Sequence, residues 1–529
     1  MFQEHRKHIE QSVSPGHPDV KNRDYVRKEQ TGEPTTNPKH FGTVAKSAGR
    51  SVDGLNQDIG NQVQETHMPG LIKLTVPTNR VLDAIADAGG HPYLVGGCVR
   101  DALIEPGRIP KDVDIEVFGL DIDALSIALK SVGNVDEVGV DFSVLKMCVD
   151  GEDFDISLPR KDVKTAEGHR GFSVEADPNS SLPDATARRD FTINALMYDP
   201  ATGNVIDCWG GLNDLKVGIL RHTTDAFAED PLRVLRGVQF AARFGYTMHP
   251  DTIALARELA DDYDHLPTER VWEEWHKIAS KGRHIGSALE TLRQTGWEKH
   301  YPQISVLHDV EQDPTWHPEG NVHVHSGMAA DKAAELADIA GLDPEDRTVI
   351  VLAAMVHDFG KATHTQHAVD KLGNPKITSH GHDHAGVEPA DEFLISIGAS
   401  KVIRDRVKPL VREHMCSSTV KTVTRPAVRR LARRLSPATL NEWAMVTAAD
   451  KGGRGSGSVD AKTDQWLEMY EEESTRMSPL LTGQHLIDSG MTPGPAFKPV
   501  LAAALEAQDE GVFDDETGAL AWFTSHSAL

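Results

Sequence analysis

Asp112, Asp114 and Glu116 alternate with Val113, Ile115 and Val117. A period of two is the period of a strand, so the carboxylates share one face and the apolar side chains the other. Two carboxylates two residues apart on a strand suit a pair of Mg²⁺ ions that grip a nucleoside triphosphate while a hydroxyl attacks it. An edge strand with a solvated acidic face would show the same pattern, and a lone Asp-x-Asp would favour that reading. The preceding residues tip the balance. Residues 93–95 read as a strand end, followed by Gly96-Gly97. Glycines let the backbone approach a phosphate with no Cβ in the way. A helix over 99–104 then turns its N-terminal amides and Arg100 toward whatever the glycines hold.

Two further groups could do chemistry. In Glu229-Asp230-Pro231-Leu232-Arg233-Val234-Leu235-Arg236, Pro231 suits the first helical position and Asp230 the N-cap. An Asp accepts from an exocyclic amine and an Arg donates to ring nitrogen and carbonyl. Together they can read the edge of cytosine or adenine, whereas uracil and guanine present the wrong pattern. Standing alone, the segment would read better as a capped amphipathic helix with solvated arginines. Histidines accumulate further on: His317, His323, His325, His357-Asp358, His380, His382, His384 and His414, with Asp450 beyond. The apolar run 349–356 is a buried helix that delivers His357-Asp358 at its end. Imidazole plus carboxylate favours Ni, Mn, Fe, Zn or Co over Ca, and such a centre sets water against a phosphate ester. Each lone histidine also reads as an ordinary surface or core residue, and for His323, His380, His384 and His414 that reading is preferred.

The elements that must position these groups are legible in outline. Helices are expected over 79–88 and 123–129, and strands over 142–149 and 154–158. Asp155 projects from the second of these strands, either as a third metal-side carboxylate or as a hairpin-end acid. Residues 160–187 read as a mobile loop. In the helix entry over 188–196, Phe191, Ala195 and Leu196 point inward and Arg189 and Asn194 outward. Arg425, Arg429 and Arg433 align at helical spacing with Arg430 and Arg434 beside them; the stripe holds RNA phosphates or is a solvated face. Residues 452–458 read as a flexible loop.

Gly96-Gly97-Cys98-Val99-Arg100-Asp101 and Asp112-x-Asp114-Ile115 resemble the active-site start of the DNA polymerase β-type nucleotidyltransferases, in the form of the bacterial tRNA nucleotidyltransferase (CCA-adding) and poly(A) polymerase branch. RRDFTINAL (188–196) and EDPLRVLR (229–236) are similar to further motifs of that branch. VHDFGKA and HGHDHAG resemble the HD phosphohydrolase domain fused to its bacterial members, and the likeness runs over about residues 91–525. The resemblance implies an α+β chain: a head of mixed sheet and helices, an all-α neck and body, and an all-α HD domain. The boundaries expected are 1–70 (disordered polar extension), 71–220 (head), 221–310 (neck and body), 311–455 (HD domain) and 456–529 (helical tail). It implies CCA addition to tRNA 3′ ends from CTP and ATP without a nucleic-acid template. Asp112, Asp114 and Asp155 would be catalytic, with Mg²⁺ on the first two. Gly97, Arg100 and Arg189 would hold the triphosphate. Asp230, Arg233 and Arg236 would hold the base. Gln239 stands where many members have Arg. His325, His357, Asp358, His382 and Asp450 would hold an ion such as Ni²⁺ or Mn²⁺, for a cyclic phosphodiesterase or phosphatase activity in 3′-end repair. Thr268 to Glu274 resembles a scaffolding motif. The alternatives are a poly(A) polymerase, or an HD phosphohydrolase whose transferase half binds RNA inactively.

Composition bounds these readings. The 529 residues are 39% hydrophobic and 26% charged, which fits a globular chain of two to four domains. No apolar run has membrane-spanning length and no signal-peptide core is visible. The four cysteines are scattered, so a cysteine zinc site is not expected and a reducing cytoplasm is. The formal charge of −25 means that RNA contact must come from local basic patches. Nothing in the sequence sets an oligomeric state.

Overall fold

The computed structural model describes residues 63–107, 109–110, 112–136, 144–164, 172–454, 461–473 and 478–526. The N-terminal extension, apart from its last residues, and most of the loop 452–458 lie outside them. The head contains strands β1 (Gln64–His67), β2 (His91–Val95), β3 (Val113–Phe118), β4 (Val135–Asp136), β5 (Val144–Val149), β6 (Glu152–Ser157), β7 (Arg160–Lys164), β8 (Phe172–Ala176), β9 (Met197–Asp199) and β10 (Asn204–Asp207). Eight of them form one mixed sheet in the order β1-β10-β9-β2-β3-β6-β5-β4. β3 and β6 run parallel, while the other neighbours are antiparallel. The acidic strand is therefore central, hydrogen-bonded on both sides, and the edge-strand reading is excluded. Val113, Ile115 and Val117 are buried, as the alternation requires. They pack with α1 (Val76–Asp87) and α3 (Ile122–Lys130), through Val81, Ile85, Leu125 and Leu129. α2 (Gly97–Ile104) leads out of the glycine turn.

Three expectations for the head need correction. Gln64–His67, inside the stretch expected to be disordered, form strand β1, which adds to the sheet edge through β10. The expected loop 160–187 contains the antiparallel hairpin β7–β8, whose arms satisfy each other's backbone groups, and a short helix Leu182–Thr186. Residues 192–194 form a 3₁₀ turn rather than an α-helix, and Asn194 is buried, not outward. Its amide lies between Asp190 and Arg100, so a polar side chain is satisfied inside the protein.

The rest is helical: α4 (Leu232–Phe244), α5 (Thr268–Lys281), α6 (Ile285–Thr295), α7 (Val322–Ala340), α8 (Pro344–Val356), α9 (Lys401–Glu413), α10 (Arg425–Leu435), α11 (Leu440–Gly452) and α12 (Phe497–Asp509), with shorter helices between. One apolar cluster runs from Phe191 to Trp466, so neck and HD domain share a core across the boundary expected at 310. Trp275 of α5 meets Phe393 edge to face at 5.2 Å, and its Nε1–H donates to Tyr301 Oη at 2.9 Å. α6 and α7 cross closely. A Cβ at Gly327 would stand 2.8 Å from Gly286 Cα, which no side chain tolerates.

α10 corrects the reading of the arginine stripe. Arg429 is buried and donates to the carbonyls of Gln508 and Asp509 at 2.8 and 3.2 Å. Arg433 pairs with Asp509, Arg430 with Glu510 at 2.8 Å, and Arg434 with Glu413 at 3.0 Å. Arg429, Arg430 and Arg433 fasten the end of α12, which shares a small core around Leu486, Ala504 and Phe523 with its neighbouring helices, while Arg434 is held by α9. Arg429→Ala should weaken that docking by about 1.5–3 kcal/mol, the loss of hydrogen bonds from a buried charge. Hydrogen exchange should speed up across residues 478–526 and not in the head. If instead the salt slope of tRNA binding fell by about one, the stripe would be a phosphate contact after all.

Candidate active sites

In the head, the parallel register of β3 and β6 sets Asp114 directly beside Asp155. Asp112 immediately precedes β3 and is exposed. Burial raises the pKa of Asp114, Arg189 opposes the shift, and Asp155 and Asp112 add to it. Carboxylates crowded in this way fit divalent cations, which relieve the repulsion. Asp155 is met by Lys146, at 2.9 Å, from the neighbouring strand β5, a partner the sequence did not suggest. Across the glycine turn, Gly96 has φ +71°. A Cβ there would lie 3.2 Å from Arg189 Nη1 and 3.5 Å from Asp114 Oδ2. Gly96, not Gly97, is thus the conformationally demanding glycine. Arg189 Nη2 reaches Glu116 at 3.4 Å, while its Nε is buried without a hydrogen-bond partner, a donor suited to a phosphate oxygen.

Arg100 is buried. It donates to Asp101 at 2.6 and 2.8 Å and to Asn194 at 2.6 Å, and it lies over the rings of Phe240 and Phe244. It still lines a cleft of about 440 Å³ with Gly97, Asp112, Asp114, Arg243 and Lys281. Acidic groups of β3 and cations of the neck therefore face one space, as a polyphosphate with its cations requires.

On α4, Arg236 is bound to buried Asp190 at 2.7 Å, and Asp190 stays below the usual carboxylate range despite its burial because of Arg236 and Asn194. Asp230 accepts from Leu232 N at 3.2 Å, capping the helix, and from Arg270 at 2.8 Å. Arg233 donates to the carbonyls of Ala226 and Arg188. Asp230 and Arg233 thus flank the same helix start, each tethered by a neighbour. Arg270, in the segment read as scaffolding, holds one of them. Gln239 is buried.

The second centre lies where α7, α8, α9 and α11 converge. His325 Nε2 is 3.1 Å from Asp450 Oδ1 and 3.6 Å from Asp358 Oδ2, and His357 Nε2 is 3.3 Å from Asp358 Oδ2. On the other side of the same carboxylate, Oδ1 is 3.1 Å from His382 Nε2 and 3.8 Å from His414 Nε2. His357, His382 and His414 each donate Nδ1–H to a carbonyl three residues back, at 2.7, 2.6 and 2.6 Å. His325 Nδ1 meets Glu319 at 2.7 Å. Fixing Nδ1 turns every Nε2 toward the carboxylates, as metal-bound imidazoles require. His357 Nε2 is buried with no hydrogen-bond partner of its own, an orphan that a cation would satisfy. Burial opposes charge on His357, yet Asp358 and Asp450 push its pKa up to about 10. Asp358 is correspondingly held far down by His357 and Lys361.

The five residues expected at this centre are together. His414, set aside from sequence, belongs with them: it is buried, and burial with the neighbouring histidines lowers its pKa to about 3. Its signal was weaker than that of His357: it closes an amphipathic, highly charged helix, and only the buried face of Ile403, Val407, Leu410 and Val411 points it inward. His323 lies elsewhere, with His308 on Glu298 at 3.1 and 3.0 Å. His380 and His384 are exposed.

Comparison with known proteins finds two family domains in this chain. Residues 92–221 match the Poly A polymerase head domain family and residues 322–451 the HD domain family. The multifunctional CCA protein of Xanthomonas campestris is 34% identical over 424 residues, covering 78% of this chain and 96% of the relative. That of Neisseria meningitidis is 37% identical over 326 residues, covering 61% and 72%. Among solved structures, the Bacillus stearothermophilus CCA-adding enzyme in complex with CTP superposes with a TM-score of 0.57 at 19% identity, over 86% of this chain and 98% of that one. A CCA-adding enzyme with ATP gives 0.57 at 18%, over 88% and 98%. At that identity the structural likeness speaks for the fold.

Proposed function

Because this chain belongs to the multifunctional CCA protein family, tRNA nucleotidyltransferases with a fused HD domain, we propose the following division of labour. The head carries out nucleotidyl transfer: a tRNA 3′-hydroxyl attacks the α-phosphate of CTP or ATP and pyrophosphate leaves. Asp112 and Asp114 hold Mg²⁺, with Asp155 as the third carboxylate once Lys146 yields it. Bound there, Mg²⁺ would supply charge neutralisation for the triphosphate and activation of the hydroxyl. Gly96 and Gly97 bring backbone to the phosphates, Arg189 offers its free donor to them, and Arg100 adds charge from the cleft wall. Asp230 and Arg233 read the base from the start of α4, and Arg236 supports them. The HD centre, through His325, His357, Asp358, His382, His414 and Asp450, holds an ion such as Ni²⁺ or Mn²⁺. Bound there, it would polarise a phosphate ester at an RNA 3′ end toward attack by water.

The observation that carries the transferase reading is the register of β3 on β6, which sets Asp114 beside Asp155, with Asp114 against Gly96 and Arg189. Among the described residues no helix is long and apolar enough to cross a membrane. The test is extension of a tRNA that lacks its CCA end, with Mg²⁺ and CTP, ATP or both, on a denaturing gel. Two additions with CTP alone and a third when ATP is supplied are expected. A long ladder with ATP alone would make the chain a poly(A) polymerase.

A further inference from the structure

Six side chains form one hydrogen-bonded chain that leaves the base-reading helix α4, passes through the glycine-turn helix α2 and returns to α4, so that the helix itself closes the ring. Arg236 binds Asp190 at 2.7 Å, and Asp190 accepts from Asn194 at 2.8 Å. Asn194 accepts from Arg100 at 2.6 Å, and Arg100 binds Asp101 at 2.6 Å. Asp101 accepts from Arg243 at 2.7 Å, which returns the ring to α4 two turns beyond its start. The three guanidinium groups also lie over two rings of α4, Phe240 and Phe244, at 4.8 to 5.6 Å. Three arginines face two aspartates, so the ring has one positive charge left over. Arg100, Asp101 and Arg243 line the cleft that also contains Asp112 and Asp114.

We propose that Asp101, Asn194 and Arg243 are positioning residues that couple triphosphate seating to base selection. The surplus charge is met when a polyphosphate enters the cleft. Arg100 cannot answer that charge without loading Asp101 and Asn194. Those two pass the load to Arg243 and, through Asp190, to Arg236. The two arginines grip α4 seven residues apart and so fix the rotation and pitch of the helix whose N-terminal end presents Asp230 and Arg233. Linked hydrogen bonds in a poorly hydrated site act as a unit, so cutting one loosens the whole. A nucleotide with the right phosphates and the wrong base would then be discriminated less well. This rests on the reading of α4 as the base-reading element.

The experiment uses the full chain and a tRNA lacking CCA, and measures kcat and KM separately for CTP, ATP, UTP and GTP. The variants are Arg243→Ala, Arg243→Lys and the isosteric Asp101→Asn, with melting temperatures beside them. For Arg243→Ala the ratio of kcat/KM for CTP over UTP should fall about tenfold, the equivalent of roughly 1.4 kcal/mol of lost coupling. Asp101→Asn should lower it in the same direction, and Arg243→Lys should keep most of it. An equal loss with all four nucleotides, or an unchanged ratio in Arg243→Ala and Asp101→Asn, would make the ring a structural brace and overturn the proposal. Should Arg243→Ala fail to fold, Asp101→Asn decides alone. Failure of the wild-type chain to extend tRNA would instead refute the transferase reading beneath it.

Discussion

Asp114→Ala should reduce CCA addition by at least about 10³-fold, the scale seen when a group that stabilises transition-state charge is removed. The protein should fold as well as before. Asp114 is the carboxylate that burial and its acidic neighbours push up in pKa, so the folded state is where its charge is least welcome. For an acid whose folded pKa is raised, ionisation works against folding above the unfolded value, and removing the carboxyl removes that opposition at neutral pH. A melting temperature equal to or above wild type, together with lost extension, separates chemistry from folding. The gain in melting temperature that Mg²⁺ gives the wild type should shrink in the variant, since ligand stabilisation follows affinity. Full extension by Asp114→Ala would sink the two-cation assignment. The HD phosphohydrolase should be untouched, because its centre shares no residue with the head.

Asp358 predicts the opposite pattern. Asp358→Ala should abolish hydrolysis of RNA 2′,3′-cyclic phosphates by at least about 10³-fold and leave CCA addition in place, but at a cost in stability. Its carboxylate meets Lys361 at 2.6 Å and His382, His357, His325 and His414 at 3.1 to 3.8 Å, all in the protein interior. Removing the anion strands buried cations, which costs about 3–5 kcal/mol. Asp358→Asn keeps the shape and serves as the second variant. The pH dependence follows from the same contacts. Asp358 has a depressed folded pKa, so its contribution is present above the unfolded value of a carboxylate and fully available at neutral pH. His357 is pushed up to about 10, so its contribution is complete below pH about 6.5 and fades as pH rises toward 10. A metal needs the neutral imidazole, so binding releases that proton and tightens over the same window. Thermal protection of the wild type by Ni²⁺ or Mn²⁺ should therefore grow from pH 6.5 to 9. Protection that does not change with pH would mean that His357 is not a ligand.

How far these sites were readable differs residue by residue. The alternation from Asp112 to Val117 was readable because a strand's period is local, and so was the helix that ends in His357. Asp155 was only half readable: its strand was evident, but a partner in register is a fact about two strands distant in sequence. Asn194 was read the wrong way round because an Asn in a short turn gives no local sign that an Arg and an Asp await it. The arginines of α10 were misjudged for the same reason. Helical spacing shows that they share a face, not that Asp509 and two carbonyls stand opposite.

The sequence by itself determined the kinds of chemistry this protein carries: paired carboxylates behind a glycine turn, an Asp and Arg helix start, and a His-Asp pair closing an apolar helix. Each of these is written in a few adjacent residues, where spacing and side-chain type suffice. The tertiary structure alone decided which groups those residues meet. It set Asp114 against Asp155, brought His414 to Asp358 across separate helices, and tied Arg100 to α4 through Asn194. Those pairings depend on strand register and helix crossings, such as Gly286 on Gly327, and long-range packing of that kind leaves no periodic mark on the chain.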